Sequence, residues 1–265
     1  MSLLLFAIAF SLSGCARLGE RVEFGLAGPD VPRAGEILSA LAANDAAVEN
    51  FRAAGSFTLE SPDFEATKMF RDGAIAFRRP AGLSVRGRNA IGMEMFRLTS
   101  VGSEFLIDFP ASRDEPYYRV EGEQFASVPF SVSPSDIARE MFLPEDWENL
   151  RRREARVIAY DAAEQTAVLE IGPRSEPRRR VTVKGPPWVV VKNERIEAGQ
   201  TVAVTTKGDY RVVDGVRFPA YIDAQFPGEQ TRLTFEMRKI LPNTEIPDSL
   251  FDIKTRAREV GVYVQ

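Results

Sequence analysis

The chain contains no histidine and a single cysteine, Cys15, among its 265 residues. Without histidine it lacks the usual general base and the commonest zinc ligand, and one cysteine cannot form a disulfide within the chain. A Walker loop, a G-x-S-x-G elbow and a G-x-G-x-x-G turn are also missing. We therefore expect no catalytic residue, no metal site and no cofactor. A carboxylate-dependent hydrolase stays an alternative, because Asp and Glu are plentiful, although their placement singles out no pair.

An excess of positive charge and a membrane-spanning apolar run are absent too. The formal net charge is -4, which gives the protein no general attraction for nucleic acid. Hydrophobic residues make up 44% of the chain, enough for a sizeable core. We expect a monomeric body that binds no nucleic acid.

The N-terminal segment Met1–Gly14 carries no charged side chain and consists mostly of Leu, Phe, Ala and Ile. A bilayer-spanning helix needs about 20 apolar residues, so this segment is too short to span, but it has the length of the apolar region of a signal peptide. Leu12-Ser13-Gly14-Cys15 ends it. Small residues ahead of the cysteine let a peptidase approach the backbone, and the thiol can accept a diacylglycerol. The absence of Lys or Arg before the apolar run departs from the usual pattern.

These four residues resemble the lipobox of bacterial lipoproteins. The resemblance implies a signal peptide over residues 1–14 and, on Cys15, an anchor made of diacylglycerol and an N-acyl chain such as palmitate. Ala16 follows the cysteine in place of Asp, which implies the outer membrane and a position on its periplasmic face in the cell envelope. The alternative is that Cys15 is a buried core cysteine at the end of an N-terminal helix.

The rest of the chain divides into a tether and a body. Residues 15–35 are rich in Gly and Pro with little periodicity, which predicts a flexible tether. Residues 36–265 are expected to form a single domain. A helix is predicted from Glu36 to about Phe51, because Ile37, Leu38, Leu41, Val48 and Phe51 recur close to a period of 3.6.

Beyond this helix, apolar and polar residues alternate with a period of two. Phe57 and Leu59 begin the alternation, and similar pairs recur to Phe235 and Met237. This pattern predicts an antiparallel sheet with one apolar and one polar face. An Asp-Gly pair within Val213–Val216 predicts a hairpin turn. One helix is predicted to interrupt the strands, starting at the N-cap and proline of Ser133–Asp136 and ending at Pro144.

The order of a helix, about six strands, a helix and more strands resembles the lipoprotein carrier and receptor of the outer membrane, LolA and LolB. The closest local match runs from about Ala53 to Phe142. Within it, Leu83–Gly87 and Asn89–Gly92 are similar to the receptor's strand–loop–strand, although Ala90 stands where the family often has Pro. The resemblance implies a mainly β fold with a few α-helices: an open, unclosed antiparallel β-barrel or half-barrel, lidded by helices.

An unclosed barrel of this kind would bind acyl chains in an apolar cavity. The predicted lining consists of the inward side chains Phe77, Val85, Phe96, Leu98, Phe105, Ile107, Phe109, Phe235 and Met237. Ile91 takes the place of the receptor's exposed loop leucine, and Met93 adds a second apolar group. The resemblance implies that this loop hands an acyl chain to the membrane. The alternative is that Ile91 and Met93 cap the core at a strand end.

The resemblance implies three kinds of partner: the membrane through the lipid anchor, lipid or lipoprotein acyl chains, and a periplasmic carrier protein. The function expected from it is lipoprotein localisation or lipid transfer at the outer membrane. The alternative is a scaffold lipoprotein of the envelope, whose β core is filled by its own side chains and binds no ligand.

Overall fold

The computed structural model describes residues 30–62, 67–110, 117–120, 132, 134–142, 147, 150 and 155–262. Cys15, the predicted signal peptide over residues 1–14 and most of the predicted tether over residues 15–35 lie outside these ranges, and all three stay predictions.

The helices are α1 (Ala34–Ala46), α2 (Pro134–Met141) and α3 (Ile253–Glu259), with a 3-10 turn at Asp248–Leu250. The strands before α2 are β1 (Asn50–Glu60), β2 (Lys68–Arg78), β3 (Gly82–Arg88), β4 (Glu94–Val101), β5 (Glu104–Asp108) and β6 (Tyr117–Val120). The strands after it are β7 (Ala155–Asp161), β8 (Thr166–Ile171), β9 (Arg179–Lys184), β10 (Val189–Glu197), β11 (Gln200–Val213), β12 (Val216–Phe226) and β13 (Thr231–Pro242).

Within the described residues, these strands form one open 13-stranded antiparallel sheet, in the order β6-β5-β4-β3-β2-β1-β13-β12-β11-β10-β9-β8-β7. Sequence neighbours pair within β1–β6 and within β7–β13, while β6 and β7 form the two edges. At the centre β1 pairs with β13 and places Phe57 opposite Phe235. The sheet is therefore two meanders joined by the first and last strands. The predicted fold class, an open antiparallel β structure covered by helices, is confirmed.

The hairpin predicted at Val213–Val216 is present. Val213 pairs with Val216, and the two residues between them, Asp214 and Gly215, both have positive φ, at 50° and 79°. Two consecutive positive φ values are typical of the tight turn whose twist matches paired strands, and Asp-Gly is a favoured pair for it.

The predicted C-terminal end of the first helix is wrong. The helix α1 ends at Ala46, and Phe51 lies in β1 instead. These residues divide between two clusters of buried apolar side chains. Ile37, Leu38 and Leu41 of α1 belong to one, whereas Val48 and Phe51 belong to the other. The spacing of Val48 and Phe51 fits the period of a helix, but two apolar residues are also compatible with the start of a strand. The pattern alone therefore could not place the end of the helix.

Strand β10 was not predicted, because its middle is polar. Lys192, Asn193, Glu194 and Arg195 follow one another there, and Asn193 is nevertheless buried. These residues are taken into the sheet by their pairing with β9 and β11. Strand β6 was not predicted either, and it is only four residues long.

The helices α1 and α2 cover one face of the sheet, here called the inner face, which carries Phe57 and Phe235. The curvature of this face follows from the contacts of α2 with both β4 and β11. Six strand spacings separate β4 from β11, about 29 Å in a flat sheet. A helix of eight residues is only about 12 Å long. The inner face must therefore be concave and wrap around α2.

Two glycines allow aromatic rings to lie close to the inner face. Phe57 and Phe70 stack with ring centroids 4.4 Å apart. A Cβ on Gly87 would lie 2.6 Å from the Phe70 ring, and a Cβ on Gly73 would lie 2.9 Å from Phe57. The rings therefore pack directly on backbone, which thickens the apolar layer without pushing the strands apart.

The opposite, outer face carries Ala76 and Leu106 and is partly covered by the C-terminal segment. Phe251 packs against Ala76, and Ile253 of α3 packs against Leu106. Asp252 caps α3 by accepting a hydrogen bond from the Thr255 amide at 3.0 Å.

Candidate functional site

The predicted cavity residues lie together on the inner face. Eight of them are buried in one apolar cluster, and Phe109, partly buried, packs against it. The eight buried residues are Phe77, Val85, Phe96, Leu98, Phe105, Ile107, Phe235 and Met237. The period of two therefore placed the predicted set on one face, although burial alone does not show that they bind a ligand.

Aromatic rings form a connected layer across this face. Phe57 stacks on Phe235 at 4.9 Å and meets the edge of Phe96 at 5.9 Å, and Phe96 lies 5.9 Å from Phe109. Phe142, just beyond α2, meets Phe235 edge-on at 5.3 Å. The layer thus extends from the sheet to the helix that covers it, and it presents a broad apolar surface to anything that replaces that helix.

The space beneath α2 is smaller than the sequence led us to expect. An apolar inner cavity of about 30 Å³ lies between Val85, Phe96, Phe235 and the α2 residues Ile137 and Met141. A second space of about 120 Å³, here called the mouth pocket, lies on the other side of Met141 and Phe142. Pockets that hold small molecules usually measure about 300–1,000 Å³. The side chains of α2 therefore occupy the volume that was expected to be empty.

Ion pairs tie α2 to the sheet. Glu140 is buried, with Oε1 3.3 Å from Nε of Arg195 on β10 and Oε2 3.9 Å from Nη1 of Arg179 on β9. Arg195 also contacts the Asp136 carboxylate of α2 at 3.0 Å through Nη1. Charges that are buried together hold each other strongly, because removing one leaves the other unpaired in a poorly solvating interior.

The mouth pocket is polar at its rim. Asp45 at the end of α1 accepts a hydrogen bond from Nε1 of Trp147 at 2.6 Å, and the Tyr210 hydroxyl donates to the Val190 carbonyl at 2.5 Å. Burial raises the pKa of Asp45, while the positive charge of Lys207 and the Trp147 hydrogen bond oppose the rise. Burial, then the Asp45 charge, raises the pKa of Tyr210.

Positive charge exceeds negative charge around this pocket. Arg79, Lys207 and Arg217 line it, and Asp45 is the one acid in its described lining. Arg79 already donates hydrogen bonds of 2.7 Å to two backbone carbonyls at the end of α1 and just beyond it, those of Asp45 and Val48. The acidic pair that a carboxylate-dependent hydrolase needs is therefore not present in this pocket.

The loop between β3 and β4 is ordered by the Asn89 side chain together with two backbone hydrogen bonds, from Asn89 N to Met93 O and from Gly92 N to Asn89 O, both 3.0 Å. Oδ1 of Asn89 accepts hydrogen bonds from the amides of Ile91 and Met93 at 3.1 and 3.0 Å, and Gly92 has a φ of 81°. Asn89 thus holds the turn without the proline that Ala90 replaces. Ile91 is 83% exposed and Met93 47%, so neither side chain caps the core.

Two features are absent from the described part of the chain. There, no helix combines the length and hydropathy that crossing a bilayer requires. Nor do three or more His, Cys, Asp or Glu side chains come together in a way that could hold a metal ion.

Sequence reasoning missed the groups that hold α2. Glu140 lies three residues after Ile137 and one before Met141, so it falls on the apolar stripe of the helix, and this position was the available signal. Arg195 carried no such signal, because it lies in the polar run of β10, 55 positions along the chain, and only the fold brings the two together.

No protein-family model matches the sequence, and no curated protein matches it either. The fold, however, is similar to that of several solved structures. A LolA superfamily protein from Nitrosomonas europaea has a TM-score of 0.51 at 14% identity, covering 85% of this chain and 100% of its own. A DUF1329 family protein from Desulfovibrio piger has a TM-score of 0.56 at 12% identity, with 85% and 99% covered.

A third solved structure, of an outer membrane lipoprotein-sorting protein domain from Vibrio parahaemolyticus, has a TM-score of 0.53 at 13% identity. The match covers 84% of this chain and 97% of that domain. Identities this low show a shared fold and leave function to be argued from the site.

Proposed function

We propose that this protein is a lipid-anchored lipoprotein at the periplasmic face of the outer membrane. In this proposal it binds acyl chains on its inner face and takes part in lipoprotein localisation or lipid transfer. The observation that carries the proposal is the apolar layer around Phe57 and Phe235 on an open sheet, covered by the short helix α2, which ion pairs hold in place. The LolA/LolB-like fold supports it.

In this proposal α2 is a lid that leaves when an acyl chain enters. The chain would take the place of Ile137, Met141 and Phe142 and join the two small spaces into one. Each methylene removed from water contributes about 0.8 kcal/mol, so several buried methylenes can compensate for the lost helix contacts. Lys207 and Arg217 at the mouth pocket would face the polar end of the bound molecule.

Acyl binding is tested with a fluorescent fatty acid and the full-length protein carrying Cys15→Ser, so that no attached lipid competes. We expect binding, and tighter apparent binding in an added Arg195→Met substitution, because a ligand that needs the open form gains affinity as that form becomes more populated. Lys184→Met is the matched control, since its pair with Glu164 is exposed and lies far from α2. Equal affinity in all three proteins would contradict the lid.

The scaffold alternative is favoured by one observation, the 30 Å³ volume of the inner cavity. It predicts that neither the parent protein nor the Arg195→Met variant takes up the fatty acid. Native mass spectrometry of protein purified without detergent gives a second readout, because a carrier is expected to retain cellular lipid and a scaffold is not.

The anchor is tested separately at Cys15. In a bacterial host, the unsubstituted chain is expected to incorporate radioactive palmitate and to sediment with membranes. The Cys15→Ser variant is expected to do neither, because diacylglycerol and the N-acyl chain both depend on that residue. Palmitate incorporation in the serine variant would contradict the assignment.

A further inference from the structure

The outer face carries a groove beside the C-terminal segment, opposite the proposed acyl site. Its volume is about 320 Å³, which falls at the lower end of the range for small-molecule pockets. The groove residues that matter here are Arg52, Ala54, Ala74, Ala76, Arg86 and Lys239. We call this the basic groove.

Strand register explains why small side chains form the bottom of the groove and charged side chains form its two sides. Lys239, Ala54, Ala74 and Arg86 lie in one row across β13, β1, β2 and β3. Three strand spacings, about 14 Å, separate the two cations of this row. The alanines leave the floor low, so the long side chains at each edge can lean over the space between them.

Positive charge in the basic groove is not balanced. Arg52, Arg86 and Lys239 line it, and no Asp or Glu does. Neighbouring cations have partners: Arg97 pairs with Glu94, and Arg256 contacts Asp108 at 3.2 Å.

In contrast, Arg52, Arg86 and Lys239 form no ion pair within 4 Å and no side-chain hydrogen bond with any described residue. Arg86 is half-buried all the same, and burial together with the charges of Arg97, Arg88 and Arg52 lowers its pKa, although Glu94 opposes this. The acid that acts on Arg86, Glu94, is already paired with Arg97, so a half-buried guanidinium among other cations costs stability unless a further anion binds there.

We propose that the basic groove binds the phosphodiester headgroup of an anionic phospholipid. Guanidinium groups match phosphate oxygens with paired hydrogen bonds, and Arg52 and Arg86 approach the floor from adjoining rows. Leu241 and Leu250 at the same groove give the adjoining glycerol and first methylenes an apolar surface. The charge and the apolar edge together favour a headgroup over a free ion.

Isothermal titration calorimetry tests this on full-length protein carrying Cys15→Ser. The probe is dihexanoylphosphatidylglycerol below its critical micelle concentration, beside dihexanoylphosphatidylcholine and inorganic phosphate. We expect the anionic lipid to bind at least about tenfold more tightly than either of the others. Arg86→Gln is expected to weaken it by about tenfold or more, as loss of a charged hydrogen bond does. Arg174→Gln, an exposed loop change of the same kind, is the control.

Thermal unfolding separates binding from a structural role. Without ligand, Arg86→Gln is expected to be at least as stable as the parent, because it removes repulsion among cations. A lower melting temperature, or unchanged lipid affinity in this variant, would overturn the proposal. If inorganic phosphate binds as tightly as the anionic lipid, the ligand of the groove is a free phosphate and the headgroup proposal is wrong. If both lipids bind equally tightly, the affinity comes from their acyl chains and the proposal is wrong as well. Because the groove lies on the opposite face of the sheet, Arg86→Gln is expected to leave fatty-acid uptake on the inner face unchanged, so the two proposals can fail independently.

Discussion

Replacing Arg195 with Met is the sharpest test of how α2 is held on the inner face. Met keeps the apolar part of the side chain but removes the charge that faces Glu140 at 3.3 Å and Asp136 at 3.0 Å. Glu140 then stays buried with Arg179 as the more distant cation, 3.9 Å away. We expect α2 to detach from the sheet far more often in this variant.

The size of the effect follows from the geometry. At an effective dielectric constant of about 20, unit charges 3.3 Å apart attract each other by about 5 kcal/mol. Removing one partner of a buried pair typically costs about 3–5 kcal/mol, which agrees. Because about 1.4 kcal/mol is a factor of ten, the open population of α2 should rise by roughly 100-fold to a few thousand-fold.

Hydrogen exchange measured by mass spectrometry reads this opening directly. The amides of residues 138–142, which donate the hydrogen bonds of α2, should exchange faster by that factor, while those of β1 and β13 at the centre of the sheet stay protected. The double variant Glu140→Leu with Arg195→Met should restore most of the protection, because it also removes the buried carboxylate that has lost its nearest cation. Lys184→Met should leave α2 unchanged, since exposed pairs contribute about 0–1 kcal/mol.

Unchanged exchange of α2 in the Arg195→Met variant would refute this reasoning. It would mean that Ile137, Met141 and Phe142 hold the helix by apolar packing alone. Faster exchange throughout the sheet would refute it too, because the ion pairs would then stabilise the whole fold and not the lid.

Three other predictions concern the sheet, the mouth pocket and the loop. Gly55→Ala should lower the free energy of unfolding in urea by about 1–3 kcal/mol, because its Cβ would lie 1.9 Å from a backbone oxygen of β13; Gly35→Ala, with nothing within 4 Å, should cost nothing. Burial raises the pKa of Asp45, so the folded state binds the carboxyl proton more tightly than the unfolded chain does. The free energy of unfolding should therefore fall as pH rises from about 4 through the raised pKa. Asp45→Asn should remove that fall. Ile91→Asp should slow transfer of bound fatty acid to vesicles with fatty-acid affinity and melting temperature unchanged, and Val212→Asp, also exposed, is its control.

Each of these has a clear contrary result. The pairing of β1 with β13 shifts register between Ala54 and Gly55, and equal stability of both glycine variants would mean that this irregular pairing adjusts to a Cβ without cost. A pH profile that is identical with Asp45 and with Asn would show that Lys207 and Trp147 cancel the effect of burial. Equal transfer rates for both aspartate variants would leave Ile91 without a role in delivery.

Local patterns in the sequence were enough for most of the strands, the hairpin and the start of α2, but not for the polar β10 or the short β6. Phe57, Phe77 and Phe235 share one face because side chains alternate along every strand, whatever the strand pairs with. Val213–Val216 turns as predicted because Asp214 and Gly215 tolerate positive φ. These features depend on residues a few positions apart, so a single sequence contains them.

Contacts between distant residues were decided only by the tertiary structure. The pairing of β1 with β13 puts Lys239 beside Ala54, and the curvature of the sheet brings Glu140 to Arg195. The size of the cavity on the inner face depended on how closely α2 packs against the sheet, and the side chains of α2 leave only about 30 Å³ unfilled. Strand alternation shows which side chains are buried, but what covers them is set by the packing of segments far apart in the chain.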